Sequence, residues 1–126
     1  MSDTKLYDLK PILDAISDEE ISLKRGDPSR IFGQLNQCVL GAVRFSGQPP
    51  WERHPDGDEL LHVLDGELVL CVLAPERRVE VTLYPGSVFV VPRGLWHRSQ
   101  PRGAVSMLFA TPTNRGEASW ASDPTR

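Results

Sequence analysis

Residues 59–73 read ELLHVLDGELVLCVL and say most about the fold. Two apolar runs flank Asp65 and Gly66, and Asp-Gly between strand-like runs is the strongest short-range signal for a β-hairpin. A two-residue turn at this point pairs Val63 with Leu68 across the two strands. Residues 59–64 and 67–73 are therefore predicted to form two antiparallel strands joined by a tight turn.

Both faces of this predicted hairpin are largely apolar. Successive side chains of a strand point to opposite faces, so one face carries Glu59, Leu61, Val63, Leu68, Leu70 and Val72. The other face carries Leu60, His62, Leu64, Glu67, Val69, Cys71 and Leu73. Large exposed apolar faces mark interaction surfaces. We therefore predict that one face lines a barrel interior and that the terminal segments or a second subunit cover the other, which favours a homodimer.

Further short strands are predicted on both sides of this stretch. The 11 prolines and 10 glycines punctuate the chain at short intervals, which is typical of many short strands joined by turns. This pattern predicts an all-β sandwich or small barrel. The additional predicted strands are residues 31–36, 37–45, 78–84, 87–91, 96–100 and 104–110.

The two ends of the chain carry weaker signals. Between residues 9 and 16, Leu and Ile recur at the spacing of one short amphipathic helix, and residues 25–28 are predicted to form a turn. Trp120 is predicted to anchor an otherwise polar tail. At 126 residues the chain is expected to form a single domain. Its predicted parts are an N-terminal extension at 1–30, a barrel at 31–110 and a tail at 111–126.

Composition argues against two classes of partner. The 14 Lys and Arg against 17 Asp and Glu give a net charge of −3 without a lysine-rich tract, so the charge pattern of a nucleic-acid binder is missing. No apolar run approaches the ~20 residues of a membrane-spanning helix. The first residues lack the apolar core of a secretory signal, so a cytoplasmic location is expected. Cys38 and Cys71 lie in apolar runs without metal-binding spacing and are expected to be free thiols.

Glu59 places a carboxylate on the inward, apolar face of the predicted hairpin. A buried carboxylate is costly unless it is paired, hydrogen-bonded, protonated or bound to a cation. His54 and Glu52 lie shortly upstream and point the same way if that segment is extended. With His97 they offer inward-facing nitrogen and oxygen ligands of the kind that metal sites need. Pairing of Glu59 with a buried arginine such as Arg44 is the alternative.

Two spaced motifs resemble those of the cupin superfamily. Gly86-x5-Pro92-x-Gly94-x2-His97 is similar to the second cupin motif at every defined spacing up to the histidine. Trp51-Glu52-Arg53-His54, followed by Glu59-x6-Gly66, resembles the first motif, whose usual form begins His-x-His. The resemblance spans less than half of the chain. It implies a double-stranded β-helix, which is a jelly-roll-like barrel.

The resemblance also implies a metal site. His54, Glu59 and His97 take the places of ligands to a divalent metal at the barrel mouth, with iron, manganese, nickel and zinc all open. Glu52 stands where the family has its first histidine, so it is predicted to be an oxygen ligand, a general base or a solvated residue of the rim. Pro101 stands where the family often has an asparagine.

Two functions from different classes follow from this resemblance. The first is a metalloenzyme acting on a small organic molecule, dioxygenase-like with iron, or isomerase-like or lyase-like with another metal and Glu52 as the base. The second is a non-catalytic cupin, with a degenerate metal site, that binds a small ligand or serves in assembly. The predicted substrate-binding residues are Trp51, Trp96, Arg44 and Arg93.

Overall fold

The computed structural model describes residues 5–23, 28–113 and 116–126, so the predicted turn at 25–28 lies, apart from Pro28, outside the described residues. Within them, short helices precede an antiparallel sheet, and the predicted all-β class is confirmed. The elements are α1 (Leu9–Asp14), α2 (Asp18–Ile21), β1 (Ser29–Leu35), β2 (Cys38–Phe45), β3 (Trp51–Arg53), β4 (Glu59–Leu73), β5 (Arg78–Leu83), β6 (Val88–Val91), β7 (His97–Pro112) and β8 (Glu117–Ser119).

The predicted hairpin at Asp65-Gly66 is wrong, because both runs belong to the single strand β4. The register of β4 with β7 shifts on either side of Asp65, which marks a bulged bend. Gly66 has a φ of 83°, and a Cβ added there would lie 2.3 Å from the carbonyl oxygen of Ala104. A bulge and a tight turn both need a residue with a positive φ, so the Asp65-Gly66 dipeptide is compatible with either.

The partner strand β7 has a matching bend, and this bend lies between two segments that the sequence predicts as separate strands. Residues 96–100 and 104–110 were predicted separately but lie in the single strand β7, with Gly103 at a φ of 73° between them. β7 pairs with β4 from Leu60↔Ala110 to Val72↔His97. These two long bent strands lie side by side and curl the sheet.

Shorter strands complete the barrel around β4 and β7. β5 pairs with the second half of β4 and β6 with its first half, and the predicted turn at Pro85-Gly86, where Gly86 has a φ of 94°, connects them. Along the other path the strand order is β1-β2-β7-β3-β8. This curled antiparallel arrangement confirms the predicted jelly-roll architecture.

The core lies inside the curl and contains the face predicted to point inward. In β4 the buried inward residues are odd-numbered before the bend and even-numbered after it, because the bulge shifts the alternation. The predicted face is therefore confirmed although the predicted turn is wrong. The core consists of Val43, Phe45, Leu61, Val63, Leu68, Leu70, Val72, Leu83, Val91, Val105 and Met107.

The terminal segments differ from their predictions. One N-terminal helix was predicted, but α2 follows α1 because the Ser17 hydroxyl accepts a hydrogen bond from the Glu20 N–H and caps a second helical turn. Trp120 does not anchor the tail, since it is 70% exposed; backbone pairing of β8 with β3 does so. Neither described helix is long and apolar enough to cross a membrane. Cys38 and Cys71 are free, as predicted.

Candidate metal centre

Three strands bring the predicted ligands together. Glu59 begins β4 and His97 begins β7, while His54 directly follows β3. β3 joins the site because Glu52 pairs with His97 in the ladder between β3 and β7. The predicted extended segment upstream of the loop is confirmed over β3, and Glu52 and His54 both line the same cavity.

Glu59 lies between the two histidines. Its Oε1 atom is 3.0 Å from His97 Nε2, and its Oε2 atom is 3.2 Å from His54 Nε2. The three possible ligand atoms all lie within 4.8 Å of one another. The two imidazole rings have centroids 5.5 Å apart. The structure therefore brings together the three ligands that the sequence predicts.

Thr111 is a member of the site that sequence reasoning missed. Its hydroxyl donates a hydrogen bond of 2.6 Å to Glu59 Oε2. The signal was present, because Thr111 shares the inward alternation of β7 with Val105 and Met107, both of which are buried. Thr111 orients the carboxylate that the histidines contact.

The charges of the site favour an ionised Glu59. Its burial disfavours the charged form, but contacts with His54 and His97 and their charges outweigh burial and lower the pKa of Glu59 to about 2. Burial likewise opposes protonation of His54, yet Glu59, and then Glu52, raise the pKa of His54 above its usual 6.5. Glu59 is thus ionised at neutral pH.

The predicted alternative partner of Glu59 is wrong. Arg44 instead lies 3.5 Å from Asp18 Oδ1 and donates to the carbonyl oxygen of Ile16. Its neighbours Val43 and Phe45 point into the core, so alternation turns the Arg44 side chain to the outside of β2, toward the helices. Among the described residues, the two histidines and Thr111 therefore lie against the Glu59 carboxylate, and Arg44 does not.

The donor set fits a divalent metal ion. Both ring nitrogens of His54 are buried and make no hydrogen bond with any described residue, since the contact with Glu59 is not aligned as one. Buried polar atoms without a protein partner are uncommon and indicate a site for an ion or a water molecule. Two imidazoles and a carboxylate suit iron, zinc, manganese or nickel and leave coordination positions open. His97 Nδ1, 3.3 Å from the carbonyl oxygen of Leu95, is oriented as metal-binding histidines usually are.

A cavity of about 530 Å³ adjoins these three residues. The exposed Glu52 and Trp120 mark its open side. Its polar lining consists of Ser29, Glu52, His54, Glu59, His97, Ser99 and Thr111. Its apolar lining consists of Leu23, Pro28, Ile31, Val39, Val43, Phe45, Pro49, Pro50, Leu61, Met107, Phe109 and Trp120.

The structure does not bring the predicted substrate-binding residues to this cavity. Trp51 and Trp96 each precede an inward residue and therefore point away from it. Trp51 is buried beneath Arg78 and Arg98, and Trp96 lies 4.6 Å beneath the Arg53 guanidinium.

The two predicted arginines are also elsewhere. Arg44 faces the helices, and exposed Arg93 lies in the loop after β6, where its backbone N–H donates to Asp58 Oδ1. Trp120, whose place at the cavity was not predicted, is the tryptophan that lines it.

The chain is similar in sequence to a known protein family and to several curated proteins. A family profile described as the cupin domain matches residues 43–111, more than half of the chain. The uncharacterized protein YdbB of Bacillus subtilis (strain 168) is 38% identical over 65 residues, which are 52% of this chain and 54% of that protein. An acireductone dioxygenase of Rhodopseudomonas palustris (strain TIE-1) is 43% identical over 47 residues, which are 37% of this chain and 28% of that enzyme.

A solved structure supports the same architecture. Protein NMB1881 from Neisseria meningitidis superposes with a TM-score of 0.67 at 20% identity, covering 86% of this chain and 99% of that one. Likeness at this identity concerns the fold alone. The matches to the two curated relatives cover about half of their length or less.

Proposed function

This chain belongs to the cupin family, and we propose that it binds one divalent metal ion through His54, Glu59 and His97 and acts on a small organic molecule in the adjoining cavity. The observation that carries the proposal is the convergence of two imidazoles and a carboxylate within 4.8 Å in the wall of a largely apolar cavity. Unpartnered nitrogens on His54 support it, because a bound cation gives a buried imidazole the partner it lacks.

Oxygenation of the substrate is the reaction class we place first. A bound iron ion in a set of two histidines and one carboxylate supplies oxygenase chemistry, whereas zinc, nickel or manganese suits proton transfer. The partial likeness to an acireductone dioxygenase supports the first alternative. In either case Glu59 and His97 keep their positions through the two long strands, and the apolar wall excludes water from the substrate.

Glu52 is the residue of the site best placed to move a proton. It lines the cavity, is exposed, and lies opposite His97 in the ladder without belonging to the group of three close ligand atoms. We assign it the role of general base, which accepts a proton from the substrate at its carboxylate. A general base contributes about 10²–10⁴-fold to turnover.

Elemental analysis of the protein, purified without oxygen or chelators, tests the metal site. We expect near-stoichiometric metal in the wild type and its loss in both His54→Ala and His97→Ala. His62→Ala is the matched control, because His62 lies in β4 outside the cavity lining and its removal leaves the ligands in place. Glu52→Gln is expected to retain the metal while turnover falls at least about 100-fold.

Other results would change the assignment in defined ways. Loss of metal from Glu52→Gln would make Glu52 a ligand. Absence of metal from the wild type, even after reconstitution with iron, manganese, nickel or zinc, would contradict the metalloenzyme and leave the non-catalytic ligand-binding barrel.

The predicted homodimer and cytoplasmic location stay predictions. Support for the homodimer comes from the outer face of the sheet, where Val88 and Val90 of β6 are 55% and 50% exposed. Exposed valines beside the apolar Leu60 form a surface that a second copy of the chain can cover.

A further inference from the structure

We infer that the cavity takes an uncharged small molecule with an aromatic-sized apolar body, and that Trp120 is the residue that selects for it. The inference rests on the proposed function, because it concerns the cavity beside the proposed metal. Trp120 is a specificity-determining residue that the sequence motifs do not indicate.

The cavity wall provides the first argument. Phe45, Leu61, Met107 and Phe109 project into the cavity from β2, β4 and β7. At about 530 Å³ the cavity falls in the usual size range of small-molecule sites. A molecule that fills this space therefore touches mainly carbon, and its favourable contacts come from an apolar body.

The charges of the lining provide the second argument. No lysine or arginine occurs in the described part of the lining, and its carboxylates are Glu52 and Glu59. The nearby guanidinium of Arg53 lies over Trp96 and pairs with Glu117 instead. A substrate that carries several negative charges is normally bound by paired arginines, which this wall lacks over its described length.

The position of Trp120 provides the third argument. The indole lines the cavity yet is 70% exposed, so a molecule in the cavity can cover it. Trp120 follows β8, whose Ala118 and Ser119 pair with Glu52 and Trp51 of β3. The indole is thus attached to the strand that carries the proposed base. Burial of an indole against an aromatic ring gives large contact area and a preferred stacking geometry.

Three hydroxamic acids with the same metal-binding group test this inference. Acetohydroxamic acid has no apolar body, benzohydroxamic acid adds an uncharged ring, and 4-carboxybenzohydroxamic acid adds a negative charge to that ring. Calorimetric titration of zinc-loaded and of metal-free protein measures each affinity. We expect the benzo compound to bind about tenfold more tightly than the aceto compound and the carboxylated compound to lose most of that gain.

Variants assign the preference to Trp120. Trp120→Ala is expected to weaken binding of benzohydroxamic acid by about three- to tenfold and to leave acetohydroxamic acid unchanged. Tyr84→Ala is the matched control, because Tyr84 is an exposed aromatic residue outside the cavity lining, and it should change neither affinity. Protection of tryptophan emission from acrylamide quenching by the benzo compound should disappear in Trp120→Phe.

The two proposals fail in different ways. If the protein binds zinc but the three compounds bind equally, or Trp120→Ala has no effect, the inference is wrong and the proposed metal site stands. If the protein binds none of iron, manganese, nickel and zinc, the proposed function is wrong, and the order of affinities in the metal-free protein decides the inference by itself.

Discussion

Two regions of the molecule build the same site in different ways. We call β4 and β7 the spine, and β3 and β8 the edge pair. The spine supplies Glu59, His97 and Thr111, of which buried Glu59 contacts the other two. The edge pair consists of two strands of three residues each, and the segment that follows β3 supplies His54.

The two histidines show what this difference means. His97 has one ring nitrogen near Glu59 and the other near the carbonyl oxygen of Leu95. Neither ring nitrogen of His54 makes a hydrogen bond with a described residue. The spine thus fixes His97 through burial and hydrogen bonding, whereas the edge pair leaves His54 to be fixed by contacts with the C-terminal segment and by the proposed metal.

The largest expected effect comes from breaking the bend of the spine. Gly66→Ala places a Cβ 2.3 Å from the carbonyl oxygen of Ala104 and also forces a positive φ on alanine. We expect the free energy of unfolding to fall by about 2–5 kcal/mol, since backbone strain and overpacking add. Urea unfolding at an unchanged m-value measures this loss.

Gly103→Ala is the matched control for that variant. Gly103 also has a positive φ, but a Cβ added there meets no atom within 4 Å. The loss should be about 1–2 kcal/mol, from backbone strain alone. Equal losses in the two variants would mean that Gly66 is not packed against Ala104 in a bend of β4. They would contradict the assignment of β4 as one bent strand in place of the predicted hairpin.

The bend also explains what the sequence could predict of the fold. Alternation of apolar residues identified the inward face of β4, because apolar side chains are buried in the core, and the Pro85-Gly86 dipeptide correctly predicted the turn after β5. Alternation did not separate a bulge at Gly66 from a turn, because that choice depends on whether β7 lies alongside. Such a long-range partner leaves no local signal.

Local sequence also predicted only part of the candidate site. Motif spacing predicted His54, Glu59 and His97, which the structure brings together. Trp51 and Trp96 were predicted at the cavity because they are next to ligands in sequence, although neighbours in a strand point to opposite sides. Trp120 could not be predicted there, because only the pairing of β8 with β3 carries it to the cavity.

The stability of the folded chain depends on pH through Glu59 of the spine and through His54. The pKa of Glu59 is lowered from 4.5 to about 2 in the folded chain, so folding favours its ionised form. Its contribution to stability is therefore full above pH 4.5 and is lost as the pH falls toward 2. The pKa of His54 is raised, so its contribution is full below 6.5 and is lost as the pH rises through the raised value.

Thr111→Val tests the contribution of Glu59 in the metal-free protein. Removal of the hydroxyl that donates to ionised Glu59 should cost about 1–3 kcal/mol at pH 6, as for other hydrogen bonds to charged groups. The cost should shrink as the pH falls toward the lowered pKa of Glu59, because Glu59 of the variant lacks this donor and takes up its proton in the folded state at a higher pH than Glu59 of the wild type. Thr113→Val, at an exposed threonine, is the control, and urea unfolding across pH 3–7 gives both curves. A cost independent of pH would contradict an ionised Glu59 in the fold.

The smallest expected effect concerns the edge pair and is confined to His54. Gly116 precedes β8, and a Cβ added there would lie 2.8 Å from His54 Nδ1 and 3.3 Å from the carbonyl oxygen of Arg53. In Gly116→Ala the His54 ring has to move away from the added Cβ, because the Arg53 carbonyl oxygen is fixed in the backbone. We expect metal affinity, measured by competition with a chelator, to fall by about tenfold, as it does when a residue that orients a ligand is changed. Metal-free stability should change by less than about 1 kcal/mol.

Glu117→Ala distinguishes two ways in which the C-terminal segment can position His54. One is the direct contact of Gly116 with the imidazole, and the other is the pairing of β8 with β3. The variant removes the ion pair of Glu117 with Arg53 at the surface, which is worth no more than about 1 kcal/mol, and adds no atom near His54. If both variants weaken metal binding equally, pairing of β8 with β3 positions His54. If neither does, His54 is as firmly fixed as His97. A loss in Gly116→Ala alone would mean that the C-terminal segment sets the ring position by direct contact, because that variant keeps the Arg53 ion pair and changes only the space beside the imidazole.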